Sequence, residues 1–141
     1  RGLGDVYKRQ ALNTGHDGSL STGHANSPKD MISRLETMVL MGMDLPLPAI
    51  ERQIASGLDI IVHLGRLRDK SRKVLEVTEV LGYWDGQIHL QTIYRYEEIR
   101  KEDENVTENE KKDQESKVHG EWKKVAELFH REKLVAAGYY I

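Results

Sequence analysis

Apolar residues recur at helical spacing directly after a Ser-Pro pair, which predicts an amphipathic helix. Ser27 can cap this helix, Pro28 suits its first position, and Asp30 supplies an acid in the first turn. Pro48 opens a second, shorter helix that we expect to end at Gly57. The spacing places one set of apolar residues on a buried face of the first helix. They are Met31, Ile32, Leu35, Met38 and Val39, and we interpret the methionines at 31, 38, 41 and 43 as core filling.

Three apolar runs after the helices predict β-strands, at residues 58–67, 74–81 and 87–96. The polar residues 68–71 form a turn between the first two runs, and Asp85-Gly86 is a strong signal for a two-residue hairpin between the last two. Strands joined by tight turns pair antiparallel. The sequence therefore predicts an antiparallel meander.

The part of the chain before the first helix is dense in polar residues. Residues 13–19 are turn formers apart from one histidine, and they predict a loop. A short strand at residues 20–25 would follow this loop and end at Asn26. We therefore expect a polar loop and strand end directly before the capped helix.

Three interpretations of this polar segment compete on the residues alone. His16, Asp17 and His24 could bind a metal ion, although their spacing matches no standard ligand pattern. The segment could instead be a turn that carries surface histidines. In the third interpretation it is the edge of an active site, where hydroxyl, backbone and imidazole donors meet a phosphate at the end of a strand.

The chain changes character after the third predicted strand. Residues 97–117 hold nine acidic and five basic residues with no apolar periodicity, which predicts a charged flexible linker. An acidic segment that binds a partner is the alternative. Residues 118–141 regain apolar residues, so we expect a short helical C-terminal tail with Gly138 as a helix stop.

Composition narrows the function classes. The 141 residues suit about one domain. A net charge of -2 gives no bulk positive field for nucleic acid or anionic lipid. The absence of cysteine excludes a disulfide framework and a thiol nucleophile. No apolar run reaches the ~18 residues of a membrane span, so we expect no direct membrane insertion. The chain also lacks the Gly-x-x-x-x-Gly-Lys-Ser/Thr loop that cradles phosphates.

Several segments resemble one protein family in the same order and with the same gaps. Residues 13–27, NTGHDGSLSTGHANS, closely resemble the His box of the secretion ATPases of the type II/type IV secretion and pilus superfamily. Residues 33–39 and 48–62 look like the CpaF branch of that superfamily, the hexameric motor of Flp/Tad pilus assembly. Residues 66–82 are similar as well, although Lys70 stands where the family usually has Gly.

The resemblance implies an α/β fold, namely the C-terminal part of a RecA-like P-loop ATPase domain with an antiparallel meander and a helical tail. The family's Walker A and Walker B elements would then lie upstream of Ala11, in a longer protein called the parent below. The chain alone would be inactive. Residues 11–96 would be the ATPase part, and residues 1–10 resemble the translation of a sequencing adapter, which we expect to be an artefact rather than a native helix remnant.

The resemblance also assigns roles to individual residues. His24 corresponds to the imidazole that lies beside the γ-phosphate and senses nucleotide, and His16 supports the same edge, so both are catalytic candidates. The matching nucleotide-phosphate edge comprises Thr14, Gly15, Ser21 and Thr22. Candidates for intersubunit or phosphate contacts are Arg34, Arg52, Arg66 and Arg72, although a surface role is the simpler interpretation of each.

The implied parent binds ATP and Mg²⁺, whereas we expect no cofactor for this chain alone and no metal site. It would be a cytoplasmic homo-hexamer, peripheral to the inner membrane, that docks on inner-membrane platform proteins and binds no nucleic acid. The competing class is non-enzymatic, an interaction module with a surface loop rich in histidine.

Overall fold

The computed structural model describes residue 18, residues 20–99 and residues 118–140. The predictions on residues 1–17 and on residues 100–117 lie outside this part. The described elements are α1 (Pro28–Gly42), α2 (Leu47–Gly57), β1 (Ile60–Arg66), β2 (Arg72–Trp84), β3 (Gln87–Glu98), β4 (Gly120–Lys124) and α3 (Glu132–Ala136). They form a mixed α/β arrangement of helices and one antiparallel sheet.

Local chemistry places both long helices where the sequence predicts them. The Ser27 hydroxyl accepts the backbone N–H of Asp30 at 3.1 Å, so the predicted cap of α1 is confirmed. Helix α2 carries Pro48 in its first turn and ends at Gly57, as expected. Across the described residues, no helix is long and apolar enough to cross a membrane.

The core lies between these two helices and one face of the sheet. Met41, at 84% exposure, is not part of it, so its prediction as a core residue is wrong. It sits in the last turn of α1, two positions after the buried Val39 and so about 200° around the helix from it, and its side chain faces solvent. Met43 does pack against the core. The buried centre comprises Ile32, Val39, Ile50 and Ile54, and the sheet contributes Ile61, Ile88 and Leu90.

The four strands pair in the order β1-β2-β3-β4, and each neighbouring pair is antiparallel. The predicted meander is confirmed for the first three strands. Asp85 and Gly86 both have positive φ, 51° and 74°, which is the backbone of a type I′ hairpin turn. Lys70 also has a positive φ of 65° and donates its N–H to the Leu67 carbonyl at 2.9 Å.

Residues 20–25 are not a strand, contrary to the prediction. The main chain of this segment contacts a side chain of α1, since the His24 carbonyl accepts a hydrogen bond from Arg34. A strand requires a neighbouring strand to pair with its N–H and C=O groups. The four-stranded sheet of the described part has its two edges at β1 and β4, and neither pairs with this segment.

The prediction of a helical tail is correct only at its end. Residues 120–124 form β4, because the free edge of β3 offers backbone partners that outweigh local preference. Trp122 lies opposite Tyr96, contacts its ring edge-on at 5.4 Å, and donates its indole N–H to the Val74 carbonyl at 2.7 Å. Helix α3 then has five residues, and Gly138 follows it with a φ of 85°, as expected of a helix stop.

The same pairing extends β3 into the segment predicted as a linker. Glu97 and Glu98 belong to the strand, opposite Glu121 and Gly120 of β4. The Lys123 ammonium also contacts the Glu97 carboxylate at 2.6 Å. The predicted start of the linker at residue 97 is therefore wrong in secondary structure. The division of the chain into domains stays a prediction.

Candidate functional site

The segment that precedes α1 lies along the first turns of that helix. Arg34 donates one guanidinium N–H, from Nη1, to the carbonyl oxygen of His24 at 2.9 Å. A Cβ atom at Gly23 would lie 2.5 Å from Cε and 2.9 Å from Sδ of Met31, so the backbone at Gly23 approaches this side chain closely. Two successive residues of the segment therefore contact two residues of α1.

The polar side chains of this segment face solvent. Ser21, Thr22 and His24 are all exposed. Two hydroxyls and an imidazole can each donate a hydrogen bond to an oxygen of a bound anion. The segment is therefore a small set of exposed donors on a main chain that α1 holds in place.

The other predicted members of this edge are Thr14, Gly15 and His16, which lie outside the described residues, so their relation to His24 stays a prediction. The metal interpretation also stays a prediction, because it needs His16 and Asp17, which lie outside the described residues. Within the described ranges, no group of three or more histidine or acidic side chains is placed to hold a metal ion.

The four candidate arginines have three different settings. Arg34 contacts the main chain of the predicted site, as described above. Arg52 lies over the ring of Tyr83, 5.4 Å from its centroid, in a cation–π arrangement. Arg66 and Arg72 are opposite each other at the end of the β1–β2 hairpin. Only Arg34 among the four is thus seen in contact with the segment around His24.

The hairpin arginines also lie far from the helical core. Ile61 of β1 packs against the buried centre, and Arg66 is the last residue of the same strand. Five residues of strand span about 17 Å at ~3.3 Å per residue. Both arginines lie at the end of the hairpin, and their contacts with a ligand or a neighbouring subunit stay predictions.

Sequence reasoning missed the most buried carboxylate of the described residues, Glu79 on β2, which is 1% exposed. It accepts the backbone N–H groups of Phe129 and His130, each at 2.8 Å, and lies 3.0 Å from His130 Nδ1. Burial acts to raise the pKa of Glu79, but these hydrogen bonds outweigh burial and lower the pKa. An alternating strand pattern contains no signal for a partner about fifty residues away.

Two further carboxylates hold the same C-terminal segment, residues 118–137, which we call the strap. Asp69, in the turn between β1 and β2, accepts the backbone N–H of Val118 at 2.8 Å. Asp59, just before β1, contacts the ammonium of Lys133 with both oxygens at 2.9 Å. The strap is therefore fixed to the β1–β2 region at its start, middle and end.

Another acid, Glu76 on β2, joins two strands. One of its oxygens accepts the hydroxyls of Thr78 at 2.7 Å and of Thr92, on β3, at 2.6 Å. Burial raises the pKa of Glu76, and the hydrogen bonds from Thr92 and Thr78 outweigh this effect and lower it. Both hydroxyls donate to the same oxygen of Glu76. The Glu76 carboxylate therefore links β2 to β3, and we do not assign it a role in catalysis.

Comparison with known proteins gives a consistent result. The chain matches the family model described as type II/IV secretion system protein over residues 6–126. It is also similar to putative conjugal transfer proteins from two strains of Mycobacterium tuberculosis, each 33% identical over 94 residues. The matched region is 67% of this chain and 26% of each relative, so the chain spans about a quarter of the length of these relatives.

The family match covers well over half of the chain and includes the donor segment, both long helices and the whole sheet. The antiparallel sheet with its helices is compatible with part of a domain of that family. The chain therefore belongs to the type II/IV secretion system ATPase family.

Proposed function

We propose that the chain is the C-terminal part of a CpaF-like ATPase that drives Flp/Tad pilus assembly. In this proposal the parent hydrolyses ATP as a cytoplasmic homo-hexamer, docked on inner-membrane platform proteins. The described helices and meander would form the end of its RecA-like domain, and the charged residues that follow β3 would be its linker. Membership of the secretion ATPase family supports the proposal.

One observation carries the assignment of the site. His24 lies in the segment that resembles the family's His box, its side chain is exposed, and its main chain is fixed on α1 through Arg34. A donor on a fixed backbone can contact a phosphate oxygen once its own side chain is oriented, because the main chain is already in place. Phosphoryl transfer depends mainly on such positioning and on electrostatic stabilisation.

In the proposed chemistry, each donor of the segment contacts a phosphate oxygen. The His24 imidazole donates an N–H to an oxygen of the γ-phosphate and loses this partner when the phosphate leaves. The hydroxyls of Ser21 and Thr22 bind neighbouring oxygens, and the segment around His16 completes the edge. Loss of the contact at His24 would be the signal that couples hydrolysis to movement.

The donor set of residues 20–27 fits phosphate oxygens better than a metal ion. Hydroxyls and an imidazole are suitable donors to phosphate, while Mg²⁺ prefers carboxylate oxygens and water, and these eight positions hold no carboxylate. Mg²⁺ neutralises charge on the β- and γ-phosphates when it is bound. Its ligands would therefore come from the Walker elements of the parent.

The relatives' description as conjugal transfer proteins favours a second assignment within the same class. The parent would then be the motor of a conjugal transfer apparatus. The site chemistry would be the same, and the difference would lie in the platform proteins. The net charge of -2 on this chain favours no direct contact with nucleic acid in either case.

The experiment that tests the proposal begins with the DNA upstream of the codon for Ala11. We expect it to encode a Gly-x-x-x-x-Gly-Lys-Ser/Thr loop in the same reading frame, followed by a Walker B strand. The recovered parent, purified and assayed for phosphate release with ATP and Mg²⁺, should turn over. A start codon near Ala11 without such a loop would contradict the proposal and would favour the interaction module.

A further inference from the structure

The Arg34 side chain donates a hydrogen bond to the main chain of His24, and this contact indicates its role. We propose that Arg34, together with Gly23, is a positioning residue that sets the direction of the His24 side chain, and that Arg34 does not itself contact phosphate. The inference rests on the proposed function only for what His24 binds. The clamp itself, defined as the contacts of Arg34 with His24 and of Met31 with Gly23, is a property of this chain.

The first contact of the clamp is the hydrogen bond from Arg34 Nη1 to the His24 carbonyl, 2.9 Å long and spanning ten residues of sequence. Residues 20–26 belong to no helix or strand. Their backbone therefore lacks the regular hydrogen bonds that fix φ and ψ elsewhere. A guanidinium is planar and presents its N–H groups in a fixed geometry, so its bond restricts both the position and the direction of the carbonyl.

The second contact is steric and lies one residue earlier. Met31 and Arg34 are three positions apart on α1 and share one face of the helix. Met31 occupies the space where a Cβ of residue 23 would be, at 2.5 Å from Cε. Only glycine lets the chain approach this closely without moving Met31. The close approach places the His24 carbonyl within reach of Arg34.

The two contacts together restrict the peptide group before and the carbonyl after the Cα of His24. The direction of its Cα–Cβ bond is then set, and only the two side-chain torsions χ1 and χ2 remain free. The imidazole thus points to solvent from a backbone that is ordered before any ligand arrives. Pre-ordering of this kind removes the backbone part of the entropic cost of placing a donor, and binding then has to order only χ1 and χ2.

The clamp accounts for two observations, the main-chain contact of Arg34 and the exposure of the His24 side chain. The resemblance makes Arg34 a candidate for an intersubunit or phosphate contact, yet one of its N–H groups donates to the protein's own main chain. His24, the residue with the suitable chemistry, has an exposed side chain. A division of labour follows, in which Arg34 supplies order and His24 supplies the donor.

The test uses the 141-residue chain without nucleotide, so it does not depend on the proposed function. Backbone ¹⁵N relaxation is measured on the wild type, on Arg34→Ala and on Arg34→Lys. Arg52→Ala is the matched control, because Arg52 is another helical arginine with a contact elsewhere. We expect Arg34→Ala to lower the order parameters of the His24 and Ala25 amides from about 0.85 to below about 0.6.

The control and the conservative variant make the result specific. Arg52→Ala should leave these amides unchanged, and Arg34→Lys should restore part of the order, because an ammonium can still reach the carbonyl. The melting temperature should change little in both alanine variants, since a single exposed side chain contributes little to global stability. Unchanged order parameters in Arg34→Ala, or an equal loss in Arg52→Ala, would overturn the clamp.

Gly23→Ala provides an independent arm. The added methyl group must displace the flexible end of Met31, so the ¹³C resonance of the Met31 methyl and the signal of the neighbouring His24 amide should shift. If the Met31 methyl and the His24 amide keep their wild-type signals, the steric half of the clamp is wrong. This arm remains informative even if an arginine variant folds poorly.

A double-mutant comparison in the parent separates positioning from phosphate contact. If Arg34 acts through His24, Arg34→Ala should lower turnover in the wild type but hardly change it in a His24→Ala background. An additional tenfold or greater loss in that background would mean that Arg34 does not act through His24, and this would overturn the proposal. A parent without ATP turnover would contradict the proposed function while the relaxation result on the clamp stands.

Discussion

The Glu79 carboxylate accepts the backbone N–H of His130 at 2.8 Å, although the two residues are 51 positions apart in sequence. The neighbouring N–H of Phe129 and the His130 ring supply two further contacts to the same group. An ionised carboxylate that is buried without partners would strongly destabilise a protein. Here the partners come from the strap, so the buried charge and the ordered strap depend on each other.

The first prediction concerns this mutual dependence. Glu79→Gln places an amide, which includes a donor, against two backbone donors and should lower the free energy of unfolding by about 2–3 kcal/mol. Urea denaturation followed by circular dichroism measures the change. Limited proteolysis should then cleave within residues 118–137 faster than it does in the wild type.

Glu121→Gln is the matched control for Glu79→Gln. Glu121 is an exposed acid on β4, so its loss should stay within about 0.5 kcal/mol of the wild type. If Glu79→Gln is as stable as this control, the buried contacts to the strap contribute nothing and the interpretation is wrong.

The second prediction concerns acid pH at the other end of the strap. Hydrogen bonds from the Ser71 side chain and from the backbone of Val118 lower the pKa of Asp69 from 3.8 to about 2. Because the folded pKa lies below the unfolded one, the contact stabilises the fold above pH 3.8 and is lost as pH falls toward 2. The contact between Val118 and Asp69 should therefore weaken in this window.

An NMR titration of the Val118 amide from pH 5 to pH 2 measures this loss. The Val80 amide of β2, which donates to the carbonyl of Asp59 just before β1, reports on global unfolding and should change later. Asp69→Asn should abolish the titration of Val118. A midpoint at or above the usual carboxyl value of 3.8 would show that the hydrogen bonds do not stabilise the charged form.

The third prediction concerns the turn between β1 and β2. Lys70 adopts a φ of 65°, a left-handed conformation that costs a residue with a Cβ roughly 1–2 kcal/mol. Lys70→Gly removes this cost but adds entropy to the unfolded chain, so we expect a net gain of about 0.5–1 kcal/mol in stability. Lys70→Ala keeps the cost and should be close to neutral. A loss of stability in the glycine variant would contradict this account of the turn.

The parts of the fold that were predicted correctly depend on neighbours in sequence. Ser27 and Asp30 are three positions apart, and Asp85-Gly86 forms its turn within four residues, so short-range chemistry is sufficient to predict the cap and the hairpin. Strand β4 was predicted as helix because its partner, the edge of β3, is supplied by the tertiary fold. Local preference cannot report on an edge that exists only after folding.

In the candidate site, too, the local features could be predicted from the sequence, whereas the contacts made through the fold could not. The residue types between Ser21 and His24 indicated a segment of hydrogen-bond donors, and the structure places their side chains in solvent. The hydrogen bond from Arg34 to the His24 carbonyl could not be predicted from the sequence. Every residue has a main-chain carbonyl, so residue type does not indicate which one accepts a side-chain donor. Glu79 was missed for the related reason that its donors are also main-chain groups.

The fourth prediction is that the 141-residue chain alone does not turn over ATP. Its sequence contains no phosphate-cradling loop, so neither the nucleotide nor the attacking water would be positioned. Phosphate release with ATP and Mg²⁺ should equal that of a blank without protein. Steady release that is abolished when the chain is denatured by heat would show that the prediction is wrong.

The last prediction concerns His24 in the parent. His24→Ala removes a donor that we expect to contact phosphate only during the reaction cycle, so turnover should fall by roughly 10- to 1000-fold. The melting temperature and hexamer formation should change little, because the side chain is exposed. His16→Ala is the companion variant, and we expect a smaller loss of turnover, since His24 is the residue that corresponds to the His-box imidazole. Wild-type turnover in His24→Ala, combined with unfolding several degrees earlier, would identify His24 as a structural residue instead.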